Sequence, residues 1–505
     1  MAMADEVELK LALAEEHQAR FLRHPLLKQA LARHVDTLDN IYYDTADLSL
    51  RRRGIALRLR RKGRDWLQTV KLAGSSAGGL SSRPEWEVPY GGHFDFSDID
   101  VASVREWLQR PKLLARIIPI CETRFRRITW KFSADPGAIL LTLDRGWIIA
   151  NGRREAISEV ELELAGAPVH AIFGLATQLA ERVALTPSVL SKAERGYRLH
   201  LGTPPTPFKA ETVALSAAIE PLDAFRRIAM SCLEHLQQNH PGALSSDDPE
   251  YIHQMRVATR RLRAALRLFD PVLPENLAGI LKEPLSALMK QLGRARDLDV
   301  LLTEIANPVL AALPNEPRLP ALASDITNRR YAARAETIAM LSAPGYGCTL
   351  LTALESLHAA PISGPALLTL RDFAFGRLKR LHKKMRRLAL AANVGDPASL
   401  HALRIGVKRL RYALEFFSPL MHGRAVSNEL KELAALQDTL GQLNDLANAG
   451  ALLMDCAGDD PRLREAVTLI GGWHGPHYAG LLASVSHELI RLPQLRLPKL
   501  SHKPA

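Results

Sequence analysis

The chain has 505 residues, of which 47% are hydrophobic, and a formal net charge of +12. This length exceeds one ordinary domain and suggests two or three. The sequence has no run of about 18 apolar residues, so no membrane-spanning helix is expected, and its acidic start does not fit a secretory signal. Its four cysteines are far apart and form no C-x-x-C motif, which predicts reduced thiols and a cytoplasmic protein.

The first predicted strand carries charged and apolar side chains on opposite faces. Glu6, Glu8 and Lys10 alternate with apolar residues, and residues two apart share one face of a strand. A strand in an ordinary core does not bury two carboxylates and an ammonium group. The alternation therefore predicts a strand that lines a polar cavity.

Five later segments repeat this alternation. For any one of them a solvated outer face is an adequate explanation, but six such strands together favour a closed barrel, in which alternate side chains point inwards. The interior would then hold clustered arginine and lysine beside clustered glutamate. The alternating polar residues are Arg58 and Arg60; Thr69 and Lys71; Arg83, Glu85 and Glu87; Arg124 and Arg126; and Glu159, Glu161 and Glu163.

This mixture of charges indicates a chemistry. Arginine and lysine bind phosphate oxygens. Several carboxylates in one cavity repel each other and favour a divalent cation such as Mg²⁺ or Mn²⁺. Phosphate and metal held together are what attack by water on a phosphoanhydride bond requires. The sequence therefore predicts a site for linear phosphate chains.

The same segments carry a family resemblance. The motifs EVELK, YYDT, LRLR, TVK, RPEWE, TRFRR, LDRG, EVELEL and SKAERGY occur in the order typical of the CYTH family of triphosphate tunnel metalloenzymes, which residues 1–202 resemble. The resemblance implies an α+β domain with an eight-stranded antiparallel β-barrel, or tunnel, and helices packed outside it. It also implies hydrolysis or cyclisation of a triphosphate with a divalent metal.

The resemblance gives each matching residue a role. The metal would be bound by glutamates and one aspartate, although the motif does not indicate which two of the last three glutamates take part: Glu6, Glu8, Asp144, Glu159, Glu161 and Glu163. Lys192 would act near the attacking water. Glu85 and Glu87 would act in catalysis as metal ligands or as partners that fix the arginines. The substrate phosphates would be bound by Lys10, Arg58, Arg60, Lys71, Arg124 and Arg126.

A domain boundary is predicted in GTPPTPF, where prolines interrupt both periodicities. Residues 1–202 would form the tunnel domain and residues 203–212 a linker. Residues 213–490 read as helical throughout and predict an all-α domain. Residues 491–505 would form a flexible tail.

The helical part contains an internal repeat. Residues 252–269 match residues 400–417 at an offset of 148, and residues 292–300 match residues 440–448 at the same offset. Two motifs that keep one spacing predict an all-α domain of two duplicated helical bundles, each with about four helices.

Basic residues share a face with a histidine on the matched helix of each repeat. A solvated helix face is the usual meaning of such a pattern, but its recurrence in both repeats favours a continuous cationic groove for a long polyanion. The residues are His253, Arg256, Arg260, Arg263 and Arg267 in the first repeat, Arg380 and Lys384 on a preceding helix, and His401, Arg404, Lys408 and Arg411 in the second repeat.

These helices resemble the CHAD family, an α-helical module named for its histidines. His253 and His401 lie at the family's histidine positions. The resemblance implies that inorganic polyphosphate binds along the basic surface. The second repeat departs from the first, with Glu415 in place of Arg267 and Asn444 in place of Arg296, which predicts an asymmetric groove.

The sequence thus predicts a metal-dependent inorganic triphosphatase with a polyphosphate-binding helical domain. An adenylate cyclase or an organic triphosphatase stays open, because the tunnel cations bind phosphates and not the group attached to them. A non-catalytic module that binds polyphosphate or nucleic acid is the other alternative. The full glutamate set argues against it, and the scarcity of aromatic residues among the cations disfavours nucleic acid.

Overall fold

The computed structural model describes residues 6–359, 368–421 and 423–498. The chain divides into two compact units, which we call the barrel unit (Met1–Pro207 with Met340–Ala359) and the helical unit (Phe208–Ala339 with Ala360–Ala505). The division after Pro207 falls inside the predicted linker. Of the predicted tail, residues 492–494 form a 3₁₀ turn, and residues 499–505 lie outside the described residues.

One sheet organises the barrel unit, and its strands pair antiparallel. In chain order the strands are β1 (Glu6–Leu13), β2 (Ala32–Thr45), β3 (Ile55–Lys62), β4 (Asp65–Leu72), β5 (Ser75–Ala77), β6 (Leu80–Arg83), β7 (Glu85–Pro89), β8 (Ile117–Ser133), β9 (Ala138–Ala150), β10 (Arg153–Ala165) and β11 (Leu185–Pro187).

The sheet curls into a nearly closed barrel of nine strands. Its path runs β6-β1-β10-β9-β8-β2-β3-β4-β7, while β5 pairs with β6 and β11 with β1. The two strands at the ends of this path, β6 and β7, are consecutive in the chain and are separated by Pro84. Because proline has no N–H to donate, the pairing changes there, from β6 with β1 to β7 with β4. Counted as one interrupted strand, β6 and β7 give eight barrel positions. The predicted antiparallel barrel is confirmed.

The barrel reverses the usual placement of charge. Glu8, Lys10 and Arg58 on its inner face are buried, although they are charged. On the outer face, Leu57 and Val70 belong to an apolar cluster that also contains residues of the covering helices. The apolar half of each strand therefore faces the helices and forms the core, and the polar half is left to line the interior.

Short helices cover the outside of the barrel. They are α1 (Gln18–Leu22), α2 (Ser49–Arg52), α3 (Ala102–Leu108), α4 (Pro111–Leu114), α5 (Val169–Ala180) and α6 (Lys192–Leu201), with 3₁₀ turns at Glu15–His17 and Pro25–Gln29. Ser191 caps α6 by accepting a hydrogen bond from Glu194 N, and this cap fixes Lys192 at the first helical position.

From Pro221 onwards, helices make up most of the described chain. In order, the helices are α7 (Pro221–Ser245), α8 (Pro249–Phe269), α9 (Glu275–Val300), α10 (Asn307–Ala312), α11 (Arg318–Leu341), α12 (Pro344–Ala359), α13 (Leu370–Ala391), α14 (Pro397–Phe417), α15 (Gly423–Ala457) and α16 (Pro461–Arg491). A π-helical stretch, Leu301–Ala306, joins α9 to α10, and 3₁₀ turns at Asp270–Val272 and Ser418–Leu420 follow α8 and α14.

The helix boundaries repeat at the predicted offset. α8 and α14 begin and end 148 residues apart, and an aspartate caps each of them, Asp248 and Asp396. Phe269 and Phe417, which end the two helices, contact each other with ring centroids 5.7 Å apart. The pseudo-equivalent helices therefore meet in the core of the helical unit.

Helix α12 lies in the sequence of the helical part but belongs to the barrel unit. It packs on α5 and β11, and a Cβ on Gly347 would collide with the carbonyl oxygen of Leu185 in β11. Because β11 pairs with the end of β1, α12 supports the strand that carries Glu8 and Lys10. The predicted extent of the helical domain, residues 213–490, does not anticipate this exchange.

Within the described ranges, no single helix is both long and apolar enough to span a membrane. The pair α11 and α12 meets those criteria jointly, by length and composition only.

Candidate functional site

The barrel interior encloses a cavity of about 560 Å³, the tunnel cavity. Charged side chains of both signs line it, and they come from strands around the barrel and, for Lys192, from the start of α6. The sequence-predicted convergence of carboxylates and cations is therefore observed. The charged lining residues are Glu6, Glu8, Lys10, Arg58, Arg60, Lys71, Arg83, Glu85, Glu87, Arg127, Glu161, Glu163 and Lys192.

The arginines of β3 differ in how well their charge is balanced. Arg58 donates to Thr69 Oγ1 (3.2 Å) and to Glu85 Oε1 (3.4 Å), and its Nη2 lies 3.9 Å from Glu87. Arg60 donates to the amide oxygen of Asn40 (3.0 Å) and has no carboxylate partner among the described residues. Burial, with repulsion from Arg58 and Arg127, lowers the Arg60 pKa to about 10. An anion in the cavity would relieve this repulsion.

Glu85 and Glu87 contact cations and a hydroxyl group of neighbouring strands. Glu85 lies 2.9 Å from Lys71 Nζ and also accepts a hydrogen bond from Arg58. Glu87 accepts a hydrogen bond from Thr69 Oγ1 (3.0 Å). Of the two roles that the sequence left open, these contacts favour the partner that orients a cation.

A cluster of three acids lies at one side of the barrel, and Lys192 is at its centre. Oxygen atoms of Asp144, Glu159 and Glu161 all lie within 4.8 Å of one another. Lys192 Nζ is 2.7 Å from Asp144 and 3.1 Å from Glu161, and it also pairs with Glu159. Burial lowers the Lys192 pKa, but the three acids outweigh it, and the net pKa is well above the ordinary lysine value. Lys192 therefore stays protonated.

Arginines complete the charge balance of this cluster. Arg127 donates two hydrogen bonds to Asp144 (2.7 and 2.6 Å) and one to Glu161 (2.6 Å), and Arg195 lies 3.3 Å from Glu159. Burial would raise the Glu161 pKa, but Lys192, Lys10 and Arg127 lower it well below the usual range. Lys10 also lies 3.3 Å from Glu161, so three carboxylates meet four cations, and a metal bound there would compete with side chains already in place.

A second group of acids, Glu6, Glu8 and Glu163, is less fully paired with cations. The register between β1 and β10 places Glu8 directly opposite Glu163. Glu8 pairs with Arg83 (3.0 Å) and Glu6 with Lys71, while Glu163 has no ion pair in the described part of the chain. Burial raises the pKa of Glu163 to about 7, and the charges of Glu6 and Glu8 add to the rise. Carboxylates that repel each other are the donor set that a divalent cation stabilises.

The structure corrects the prediction for β8. Arg124 and Arg126 are exposed on the outer face, where Arg124 pairs with Glu122, and neither lines the tunnel cavity. Phe125 and Arg127 face inwards instead. The segment TRFRR offers an arginine in both phases of the strand, so alternation alone cannot identify the inner face. The signal that was missed is pairing, since Arg127 lies opposite Asp144 and Arg126 lies opposite Arg145.

The helical unit brings basic residues of its two repeats together. Burial lowers the pKa of Lys408 to about 7, and repulsion from Arg260, Arg404, Arg256 and Arg411 lowers it further. These cations lie on α8 and α14, and Arg260 and Lys408 line the same cavity, so the basic faces of the two helices meet.

The other residues predicted to bind polyphosphate differ in their exposure and in whether they line a cavity. Arg263 and Arg267 line a cavity together with Arg260 and Lys408. His253 is partly buried, and its pKa is lowered by burial and then by Arg296, whereas exposed His401 contacts Asn444 Oδ1 at 3.2 Å. Exposed Arg380 and Lys384 of α13 do not line that cavity.

The predicted asymmetry is visible at Glu415. Its carboxylate pairs with Arg411 (2.8 Å) and Arg261 (3.3 Å). In the first repeat the same position is Arg267, which is exposed and has no ion pair among the described residues. One half of the cationic face is therefore partly neutralised and the other half is not.

Sequence comparisons match residues 4–197 to the CYTH domain and residues 227–454 to the CHAD domain. A crystal structure of the CHAD domain from the plant Ricinus communis is 36% identical, with a TM-score of 0.52, and the match covers 59% of this chain and 99% of that one. The chain is a CYTH domain fused to a CHAD domain.

Two curated relatives extend this assignment. The CYTH domain is 31% identical over 198 residues to an inorganic triphosphatase of Haemophilus influenzae, a match that covers 39% of this chain and 55% of the relative. The chain thus spans about half the length of that relative. An uncharacterized protein of Mycobacterium tuberculosis is 27% identical over 442 residues, which cover 81% of this chain and 80% of that protein, and so includes both the CYTH and the CHAD domain. Together with the tunnel cavity, the comparisons support a hydrolase of phosphoanhydride bonds.

Proposed function

We propose that the CYTH domain hydrolyses inorganic triphosphate to pyrophosphate and phosphate with Mg²⁺ or Mn²⁺, and that the CHAD domain binds inorganic polyphosphate. The observation that carries this proposal is the tunnel cavity, where carboxylates and cations from separate strands face one enclosed space. The similarity to the Haemophilus influenzae inorganic triphosphatase supports the same chemistry. The four free cysteines support a place in the reducing cytoplasm.

In this proposal the cations of the cavity hold the substrate phosphates. Arg60 has the least compensated charge, and it would bind a phosphate directly. Lys10, 3.3 Å from Glu161, and Arg127 are held in place by carboxylates, so little side-chain entropy is lost when a phosphate binds. The proposed phosphate-binding set is Lys10, Arg58, Arg60, Lys71 and Arg127, without the exposed Arg124 and Arg126.

The metal is proposed to bind at Glu6, Glu8 and Glu163. Glu163 is the best candidate among the three glutamates of β10, because Glu159 and Glu161 are already paired with Lys192 and with arginines. A hard divalent cation prefers carboxylate oxygens, and its charge would offset the burial and the repulsion from Glu6 and Glu8 that raise the Glu163 pKa. When bound, the cation supplies positive charge to the phosphate oxygens and promotes ionisation of the attacking water.

Lys192 is proposed to stabilise negative charge, and not to take a proton from water. Its ammonium group is held by Asp144, Glu159 and Glu161, and its raised pKa keeps it protonated at neutral pH. A fixed positive charge at the cavity wall stabilises an oxygen that gains negative charge in the transition state. Glu85 and Glu87 would assist by orienting Lys71 and Arg58.

The CHAD domain is proposed to bind polyphosphate across α8 and α14. Besides burial, Arg256 and Arg260 of one repeat and Arg404 of the other lower the Lys408 pKa, so a polyanion would relieve the repulsion among these four cations. His253, Arg263 and Arg267 extend this face in the first repeat, and His401 and Arg411 extend it in the second. Arg380 and Lys384 would contact only the outer part of a long chain.

A phosphate-release assay on a panel of substrates tests the catalytic proposal. We expect inorganic triphosphate to be hydrolysed fastest with Mg²⁺ or Mn²⁺, ahead of ATP, thiamine triphosphate, pyrophosphate and long-chain polyphosphate. Faster turnover of ATP or thiamine triphosphate would replace inorganic triphosphate with an organic substrate. Formation of a cyclic nucleotide from ATP would indicate a cyclase.

A further inference from the structure

The CHAD domain contains a cavity of about 550 Å³, which we call the helical cavity. It is built by residues of α8, α9, α13 and α14. Cations form one part of its lining, and none of the described residues that line it carries a carboxylate. The cations are Arg260, Arg263, Arg267, Arg377, Lys408 and Arg409.

Apolar side chains form the other part of the lining. Leu268, Met289, Leu381 and Ile405 face the same space as the cations, together with the ring of Tyr412. An inorganic phosphate chain is strongly hydrated and gains nothing from apolar contacts. A ligand that carries both phosphates and an apolar or aromatic body would use both parts of the lining.

Tyr412 provides an independent indication of a ligand. It is 4% exposed and lines the helical cavity, yet its hydroxyl group has no hydrogen-bond partner among the described residues. Arg411 and Arg260 lie 5.3 and 6.0 Å from the centre of its ring. A buried hydroxyl without a partner is unfavourable, and a polar atom of a bound molecule would satisfy it.

The two repeats contribute different residues to the helical cavity. Tyr412 corresponds in the repeat to Ala264, and Arg267 corresponds to Glu415, which neutralises Arg411 and Arg261. In this cavity the tyrosine of one repeat meets arginines of the other, Arg263 and Arg267, that have no ion pair among the described residues. Such a site has room for one compact ligand, whereas a continuous groove would follow a long chain.

We propose that the helical cavity binds a nucleoside polyphosphate. Its phosphates would contact Arg260, Arg263 and Lys408, and its base would lie against Met289, Ile405 and Tyr412. This ligand goes beyond the proposed binding of inorganic polyphosphate. Because Arg260 and Lys408 belong to both sites, the nucleotide and polyphosphate would compete for the CHAD domain.

Calorimetric titration of the full chain with ATP and with inorganic triphosphate tests this proposal. EDTA is present throughout to prevent turnover. The two probes carry the same number of phosphates, so any difference comes from the nucleoside. The tested variants are Ile405→Asn and Met289→Gln, which make the lining polar without changing its charge. Ile490→Asn, at an exposed position of α16, is the matched control.

We expect ATP to bind the CHAD cavity of the wild type, and each cavity variant to weaken this binding by about tenfold, the usual effect of losing an apolar contact in a pocket. Affinity for inorganic triphosphate should stay within about twofold, because no charge changes. Tyr412→Phe, which retains the ring and removes the hydroxyl, should weaken ATP binding without lowering the melting temperature.

ATP affinity that is the same in wild type, Ile405→Asn and Met289→Gln would overturn the proposal, since ATP would then bind only elsewhere, such as in the tunnel. Equal losses for ATP and inorganic triphosphate in properly folded variants would also overturn it, because the cavity would then not distinguish the nucleoside. Neither outcome bears on the triphosphatase, which the phosphate-release assay tests by itself.

Discussion

The two charged cavities of this chain differ in how their charge is balanced. The tunnel cavity is lined by six carboxylates and seven cations, most of them joined in ion pairs between strands. The helical cavity is lined, in the part of the chain that the structure describes, by six cations and by no carboxylate. A balanced network holds its side chains in fixed positions before the substrate arrives, which suits catalysis. An unbalanced one gains energy only when an anion binds, which suits capture.

The largest effect is expected when one carboxylate is removed from the tunnel cavity. We expect Glu8→Gln to lower kcat for triphosphate by roughly 100-fold or more, because charge stabilisation carries this reaction. Polyphosphate binding by the CHAD domain should not change. Glu122→Gln, a glutamate on the outer face of the barrel, is the control and should keep near-normal turnover. Near-normal turnover by Glu8→Gln would refute its role as a metal ligand.

Variants of two adjacent arginines of β8 test which of them faces the inside of the barrel. Arg127→Ala removes three hydrogen bonds to Asp144 and Glu161, and we expect kcat/KM to fall by about 100-fold. Arg126→Ala alters an exposed residue and should stay within about threefold of the wild type. Steady-state kinetics of the two variants decide between the inner and outer positions. A larger effect of Arg126→Ala would contradict the observed strand orientation.

Polyphosphate binding by the CHAD domain is expected to depend strongly on salt concentration. Binding of long-chain polyphosphate should weaken steeply as salt is added, because each bound phosphate releases counterions. Arg260→Ala and Arg404→Ala should each weaken the binding by about tenfold and reduce the slope of log affinity against log salt by about one. Fluorescence anisotropy at several salt concentrations measures both quantities. An affinity independent of salt would rule out binding by these cations.

The smallest expected effect concerns Lys408 and pH. Its pKa of about 7 in the free protein results from burial and from Arg260, Arg404, Arg256 and Arg411. A bound anion favours the protonated form, so below pH 7 the affinity is insensitive to this group, and above pH 7 binding must take up a proton and weakens. Lys408→Arg should remove this dependence between pH 7 and 9. The same pH profile in wild type and variant would assign the effect to other groups.

Much of this organisation was predictable, because it rests on two periodicities. Alternation at Glu6, Glu8 and Lys10 predicts the inner face of β1, and the 148-residue offset predicts the equivalent ends of α8 and α14. Both patterns are local in the sequence or simply repeated. The fold class followed from them without any knowledge of contacts between distant residues.

Other features depend on contacts that no local pattern contains. The segment from Arg124 to Arg127 has arginines in both phases, and its orientation is set by Asp144 on the neighbouring strand. The position of α12 in the barrel unit depends on the close approach of Gly347 to β11. Likewise, Glu159 and Glu161 differ from Glu163 because they pair with Lys192, which lies on α6 and not on a neighbouring strand.

The most direct test is phosphate release from inorganic triphosphate by the wild-type protein, measured first in EDTA and again after Mg²⁺ or Mn²⁺ is added back. If the inward-facing glutamates position a divalent cation beside a bound phosphate chain, release will be near background in EDTA and will be restored by the metal. Undiminished release in EDTA, or no release with either metal, would contradict metal-dependent hydrolysis in the tunnel cavity.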